Sequence, residues 1–201
     1  MRRIIHIDPQ APEYQDVLRL RREAYVASGK AAPDATTAEF ADEFDETARI
    51  SLILMDGVPA ASIRVCLSPD TVPFDYAQYA GWQDVLPPLR ECVSGSRMCV
   101  RPTFRGTGMF ALLHEEMVSA SSSSGRPYVI GGAAGWLLDQ YVQYGWRRTG
   151  VTYASRMMGL THEFIFLDTR VSALASALSG SASKARASAE ALPPRTHSRS
   201  T

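Results

Sequence analysis

The chain has too few cysteines for a disulfide framework and no surplus of either charge. Cys66, Cys92 and Cys99 are three in 201 residues, an odd number without C-x-x-C spacing, and the four histidines (His6, His114, His162, His197) stand singly. Neither a cross-linked scaffold nor a zinc or other metal site is indicated. Twenty-one basic residues cancel twenty-one acidic ones, which removes the positive footprint that nucleic-acid binding requires. No apolar run approaches the roughly 18 residues of a membrane span, and residues 4–7, after Arg2-Arg3, are too short for the apolar region of a signal peptide. These absences predict a reduced, cytoplasmic protein with no metal, no nucleic-acid partner and no membrane-spanning segment.

What is present is enough apolar side chain for one core. Hydrophobic residues make up 45% of the chain, three Trp among them, which excludes wholesale disorder and fits a domain of about 100–200 residues. The charge balance is local. After residue 169, five Lys/Arg (Arg170, Lys184, Arg186, Arg195, Arg199) face one acid, Glu190, in an Ala- and Ser-rich setting. A globular domain over residues 1–168 is expected, followed by a basic tail over 169–201 that is weakly helical or disordered.

Residues 4–7 read as a short strand. Pro12 then opens a helix with Tyr14, Val17, Leu18, Arg21 and Tyr25 at helical spacing, ending near Ser28-Gly29. Between Asp34 and Glu46, acids surround Phe40 and Phe44, a loop or short helix with two aromatic anchors. Two β-rich runs, 50–55 and 58–67, flank Asp56-Gly57, a dipeptide that supplies positive φ and marks a hairpin. Pro59 must sit at the start or edge of its strand. Residues 68–90 combine four prolines with Phe74, Tyr76, Tyr79 and Trp82 and no period, a long surface excursion packed by its own side chains. A strand at 92–100, a helix at 106–122 with Met109, Leu112, Leu113 and Met117 on one stripe, a strand at 128–130, a helix at 135–144 and strands at 147–154 and 163–167 complete the domain.

The stretch that carries chemistry is 98–110, Met-Cys-Val-Arg-Pro-Thr-Phe-Arg-Gly-Thr-Gly-Met-Phe, a strand passing through a glycine-containing turn into a helix. Helix N-termini expose unpaired N–H groups and partial positive charge, so such a turn holds phosphate oxygens where small residues allow close approach. Gly106 and Gly108 allow it, and Arg105 adds charge. No Lys-Ser/Thr follows, which argues against a nucleotide P-loop.

Val-x-Pro-x-x-Arg-Gly-x-Gly after a hairpin resembles the acyl-CoA-binding motif of the GNAT superfamily of acyltransferases, and Tyr141-Val-Gln-Tyr-Gly145-Trp146 resembles its second signature, Tyr-x-x-x-Gly-Phe. The resemblance implies an α/β fold with a mixed, partly splayed central sheet flanked by helices, and no permanently bound cofactor. The co-substrate is then acyl-CoA or an acyl-phosphopantetheine on a carrier protein, its phosphates on Arg105, Gly106, Thr107, Gly108, Met109 and Phe110. The pantetheine lies along Met98, Cys99 and Val100. Tyr141 is the position that protonates the departing thiolate, with Tyr144 in reserve.

Phe110, where the motif usually ends in Gly or Ala, is similar to a subgroup of N-acyl amino acid synthases and acyl-homoserine-lactone synthases. Arg21-x-x-x-Tyr25 resembles that subgroup's Arg-x-x-x-Phe, Asp42-x-x-Asp45 its paired aspartates, and Arg64 and Arg97 occupy matching strand positions. These residues imply a site for a small-molecule amine, carboxylates toward the amino group and arginines toward a carboxylate. In apolar strands, however, Arg64 and Arg97 must be paired, so ion pairing with Asp42 or Asp45 is an equally good role. Where lactone synthases show Glu-x-Ser-Arg, this chain has Ser94-Gly-Ser-Arg97, which favours amide formation over lactone production. Glu91 or Asp45, through water, is the candidate base. Transfer of a medium or long acyl chain is expected, with Phe110 and the 68–90 aromatics covering the tail. The rivals are a short-chain N-acetyltransferase and a catalytically silent acyl-CoA sensor.

Overall fold

The computed structural model describes residues 1–67, 75–155 and 160–171. Phe74, and the tail beyond residue 171, lie outside the described residues. Seven strands form one sheet in the order β1-β2-β3-β4-β5-β7-β6. They are β1 (Arg2–Ile7), β2 (Arg49–Met55), β3 (Val58–Cys66), β4 (Cys92–Val100), β5 (Tyr128–Ala134), β6 (Arg147–Ala154) and β7 (Thr161–Asp168). Three α-helices flank the sheet: α1 (Tyr14–Val26), α2 (Met109–Ser124) and α3 (Leu138–Gln143). The acidic segment after α1 folds into two short 3-10 turns, Thr37–Phe40 and Glu43–Asp45.

Local rules set most of these boundaries. The β2–β3 hairpin turns on Asp56 and Gly57 with φ of 50° and 81°, the left-handed pair that matches strand twist. Pro59 lies at the start of β3, beside a register shift between Ile53 and Leu54. Because alternate strand residues point to opposite faces, β2 sorts its neighbours. Ile50 and Leu52 pack with Val17, Leu18 and Leu20 of α1, while Ile53 packs with Leu112, Leu113 and Met117 of α2. α1 and α2 therefore cover opposite faces. The 75–91 segment extends the α1 face, where Tyr76, Trp82, Val85 and Leu86 pack with Cys66, Cys92, Ile130 and Phe164. Trp82, Val85 and Leu86 thus anchor the excursion to the sheet.

The sheet opens at its centre. β4 and β5 run parallel and pair only through Cys92–Ser94 and Tyr128–Ile130. Beyond them β4 stays with β3 as far as Val100, and β5 with β7 as far as Ala134. The β3–β4 register shifts by one between Ser62 and Arg64, and the extra residue on β4 includes Arg97 at φ 52°. β4 parts from β5 after Ser94, and the bulge, which bends the strand that carries it, follows within the opening at residues 97–98.

Candidate active site

A cavity of about 890 Å³ fills this opening, reaching from the turn before α2 to the loops that follow α1. At one end, residues 102–104 form a 3-10 turn that leads through Arg105 to Gly108, the N-cap of α2. Gly106 and Gly108 have φ of 78° and 84°, and a side chain on either would meet no atom within 4 Å. The backbone conformation demands glycine, and the space above it is open. Arg105 donates to the Ala24 carbonyl of α1 at 3.2 Å, tying the turn to the opposite helix. Thr107 donates to the Phe104 carbonyl at 2.6 Å and is exposed, and it is not among the lining residues. Met98, Cys99, Val100, Gly106, Gly108, Met109 and Phe110 do line the cavity.

At the crotch of the two strands one hydroxyl replaces a missing rung. Tyr76 Oη donates to the Gly95 carbonyl at 3.1 Å and accepts the Gly132 N–H at 2.9 Å, so one backbone group on each diverging strand keeps a partner. Here glycine leaves room for neighbouring side chains. A Cβ at Gly132 would overlap the Tyr153 hydroxyl, and one at Gly95 the Met117 sulfur.

One wall is aromatic. The Phe110 ring lies 5.2 Å from Tyr141 and 5.1 Å from Tyr144, and His114 stacks on Tyr144 at 4.7 Å. Tyr141 Oη points at Met98 Sδ, 3.6 Å away, which brings the phenol beside β4. Burial pushes the Tyr141 pKa up, so the phenol holds its proton and serves as a donor. His114 lies beneath, its Nδ1 2.8 Å from the Phe110 carbonyl oxygen, and desolvation pulls its pKa down to about 4.

The other wall is ionic. Arg21, fully buried on α1, donates to both Asp45 oxygens, at 2.6 and 2.9 Å, and to the Phe40 carbonyl at 3.0 Å. Tyr14 Oη adds a bond to Asp45 at 2.5 Å. Although burial opposes the charge, these donors, Arg21 foremost, hold the Asp45 carboxyl at about 2. Arg64 pairs with Asp42, reaches Asp45 at 3.4 Å and Asp75 at 3.1 Å, and donates to Ser96 at 2.9 Å. Arg97 closes the network on Asp42, at 2.5 and 3.1 Å. Three guanidinium groups thus meet three carboxylates.

Several expectations need correcting. Arg21 and Asp45 do not line the cavity; they lock α1 to the 42–45 turn behind it. Glu91 lies at the far end of β4, before Cys92, with its carboxylate 3.7 Å from Arg90, and it too is not a lining residue. Tyr25, Asp42, Arg64 and Arg97 do line the cavity, the last three already engaged with one another. Asp75 was missed. Its Oδ1 accepts from Ser94 Oγ at 2.6 Å, putting a carboxylate beside Ser94. The signal was a charge count, since three strand and helix arginines faced only two aspartates and a buried charge needs a partner.

No protein-family model matches the sequence, and no curated protein matches it. Solved structures do. The N-acyl amino acid synthase FeeM from uncultured soil microbes is similar with a TM-score of 0.63 at 16% identity, over 88% of this chain and 99% of that one. A CoA-dependent acyl-homoserine lactone synthase, BjaI, gives 0.62 at 19% identity, over 84% and 83%. An N-acetyltransferase from Staphylococcus aureus gives 0.57 at 13%, over 84% and 98%.

Proposed function

Because the chain has the GNAT fold, we propose that it moves an acyl group from the thioester of CoA or of a phosphopantetheine carrier to the amine of an amino acid or similar small molecule. The observation that carries this reading is the continuous cavity in the β4–β5 opening, which joins the glycine turn of α2 to the ionic wall behind α1. A diphosphate on the turn and an extended pantetheine along the β4 edge, from Gly95 to Val100, would bring the thioester carbonyl beside Tyr141.

The amine then attacks the carbonyl carbon, the tetrahedral oxyanion collapses, the C–S bond breaks, and an amide and a thiol result. Tyr141, which holds its proton at neutral pH, donates it to the leaving sulfur. The proton lost by the amine passes to water, because Asp45 is locked behind the wall and Glu91 is remote. Positioning lowers most of the barrier. The ionic wall is rigid and electrically neutral as a unit, and it fixes the β4 bulge from the acceptor side.

A cavity near the upper end of the roughly 300–1,000 Å³ that suits drug-sized ligands supports an acyl group longer than acetyl, and Phe110 borders it. Thiol release measured with acetyl, octanoyl and palmitoyl donors and a mixture of amino acids tests the reading. Octanoyl or palmitoyl should give the higher kcat/KM; preference for acetyl would indicate a short-chain acetyltransferase, and no release with any donor a sensor. Tyr141→Phe should lower kcat about 10²–10⁴-fold with little change in KM for the donor.

A further inference from the structure

The six-membered ionic network removes the arginines on which an acceptor carboxylate was expected to rest, because Asp42, Asp45 and Asp75 already occupy them. Three other charged side chains line the cavity: Lys30, Glu39 and Arg105. Arg105 is held on the glycine turn by the Ala24 carbonyl. Glu39 lies on the exposed rim with its Oε1 on the Thr36 N–H and hydroxyl, at 2.8 and 2.9 Å. Lys30 differs. It follows α1, its ammonium lies 5.8 Å from the centre of the Tyr25 ring, and it makes no ion pair among the described residues. Burial, and then the neighbouring Arg105 charge, lower its pKa, which is the mark of a cation short of a counter-ion. Its field reaches across the cavity mouth to His162 at the start of β7.

We propose that Lys30 anchors the carboxylate of the acceptor, so that the enzyme of the preceding section selects amines that carry a carboxylate, amino acids above all, over simple amines. Lys30 sits over the Tyr25 ring, which also packs against Phe40 beside the ionic wall. Arg105 of the glycine turn is also a neighbour of Lys30, so the donor's phosphates are the competing occupant and coenzyme A is one arm of the test. A carboxylate beside Lys30 gains a charge-assisted hydrogen bond and gives a half-buried ammonium its missing partner. The proposal rests on the acyltransferase reading, but part of its test does not need turnover.

Lys30 and Lys184 are the two lysines of the chain, which makes amine labelling a clean probe. The full-length protein is treated with limiting acetic anhydride and the acetylated peptides are quantified, with Lys184 and the N-terminal amine as internal references. N-octanoyl derivatives of glycine, leucine, phenylalanine and glutamate, each as free acid and as carboxamide, are the ligands. Slower labelling of Lys30 with at least one acid, and not with its amide, is the expected result. Protection by coenzyme A alone would assign Lys30 to the donor's phosphates and overturn the proposal, as would equal protection by acid and amide, or none by any acid. In turnover, Lys30→Met should raise KM for the amino acid about 10–100-fold, the worth of one charged hydrogen bond. KM for the acyl donor, and the rate with an amino acid amide, should stay unchanged. Lys30→Arg should restore part of the affinity, and a rise in donor KM instead would refute the assignment. Absence of thiol release in the wild type would sink the acyltransferase reading while leaving the labelling result to judge Lys30 by itself.

Discussion

The two walls of the cavity are held by different forces. The ionic wall joins α1, the 42–45 turn, β3, β4 and the 75–78 turn through charges that came from distant parts of the chain and that cancel when assembled. The aromatic wall joins α2, α3 and the start of β6 through Phe110, His114, Tyr141, Tyr144 and Trp146, and its interior titratable group is kept neutral. The first is rigid because no member can leave without stranding a buried charge; the second because rings pack at dense contact. The contrast teaches where each wall yields. One should fail by loss of a partner, the other by protonation.

The largest effect should come from breaking the ionic wall at its deepest pair. Asp45→Ala strands the fully buried Arg21 and the Tyr14 hydroxyl, and unfolding in urea should show a loss of about 3–5 kcal/mol. Replacing both partners, Arg21→Met with Asp45→Leu, should recover most of that loss, since what is expensive is the unpaired charge. A single variant as stable as the wild type would mean that this wall is ornament.

A pH series separates the walls more finely. His114 is held down from 6.5 to about 4. Between those values the unfolded chain binds the proton that the folded one refuses, so its contribution is intact above pH 6.5 and is lost as pH falls toward 4, on the order of 3 kcal/mol. Asp45, lowered from 3.8 to about 2, gives a lower window of the same sign: its stabilisation is complete above pH 3.8 and is lost as pH falls through 2. Urea midpoints at pH 7, 5.5, 4.5 and 3 should decline in two stages; His162 is held down to about 4 as well, so His114→Asn should reduce the first stage, and His114→Asn with His162→Asn should flatten it while leaving the second. One stage in the wild type, or no flattening in the double variant, would contradict this separation.

The smallest expected effect lies where the walls meet. Tyr76→Phe removes the hydroxyl that serves the Gly95 carbonyl and the Gly132 N–H, leaving two half-buried backbone groups without that partner at a cost of about 1 kcal/mol. Amide hydrogen exchange at Gly132 should accelerate beyond what the global loss explains. Unchanged protection would remove the hydroxyl from any role in holding the strands apart.

Much of this was legible from local chemistry alone. The Asp56-Gly57 hairpin, the stripe of Met109, Leu112, Leu113 and Met117, the glycine turn at 106–108 and the β4 boundaries each depend on neighbours within a few residues, and propensity, period and positive φ report on those. The opening of the sheet was expected from the family resemblance rather than from any residue. The one-residue bulge within it, with Arg97 at positive φ, was not visible, because nothing in the identity of an arginine announces a left-handed backbone that its ion pair with Asp42 helps to hold.

The sequence by itself therefore determined the elements, their order and the glycine turn before α2, since these follow from short-range sterics and the spacing of apolar side chains. Tertiary structure alone decided which charges are spent and which remain. Asp75 reaches Arg64 and Ser94 only because the 75–91 segment folds back over the α1 face, and that contact completes the balance that leaves Lys30 without a carboxylate among the described residues. Pairing between groups 11 to 55 residues apart depends on chain reversal and burial, and no local pattern encodes the sum.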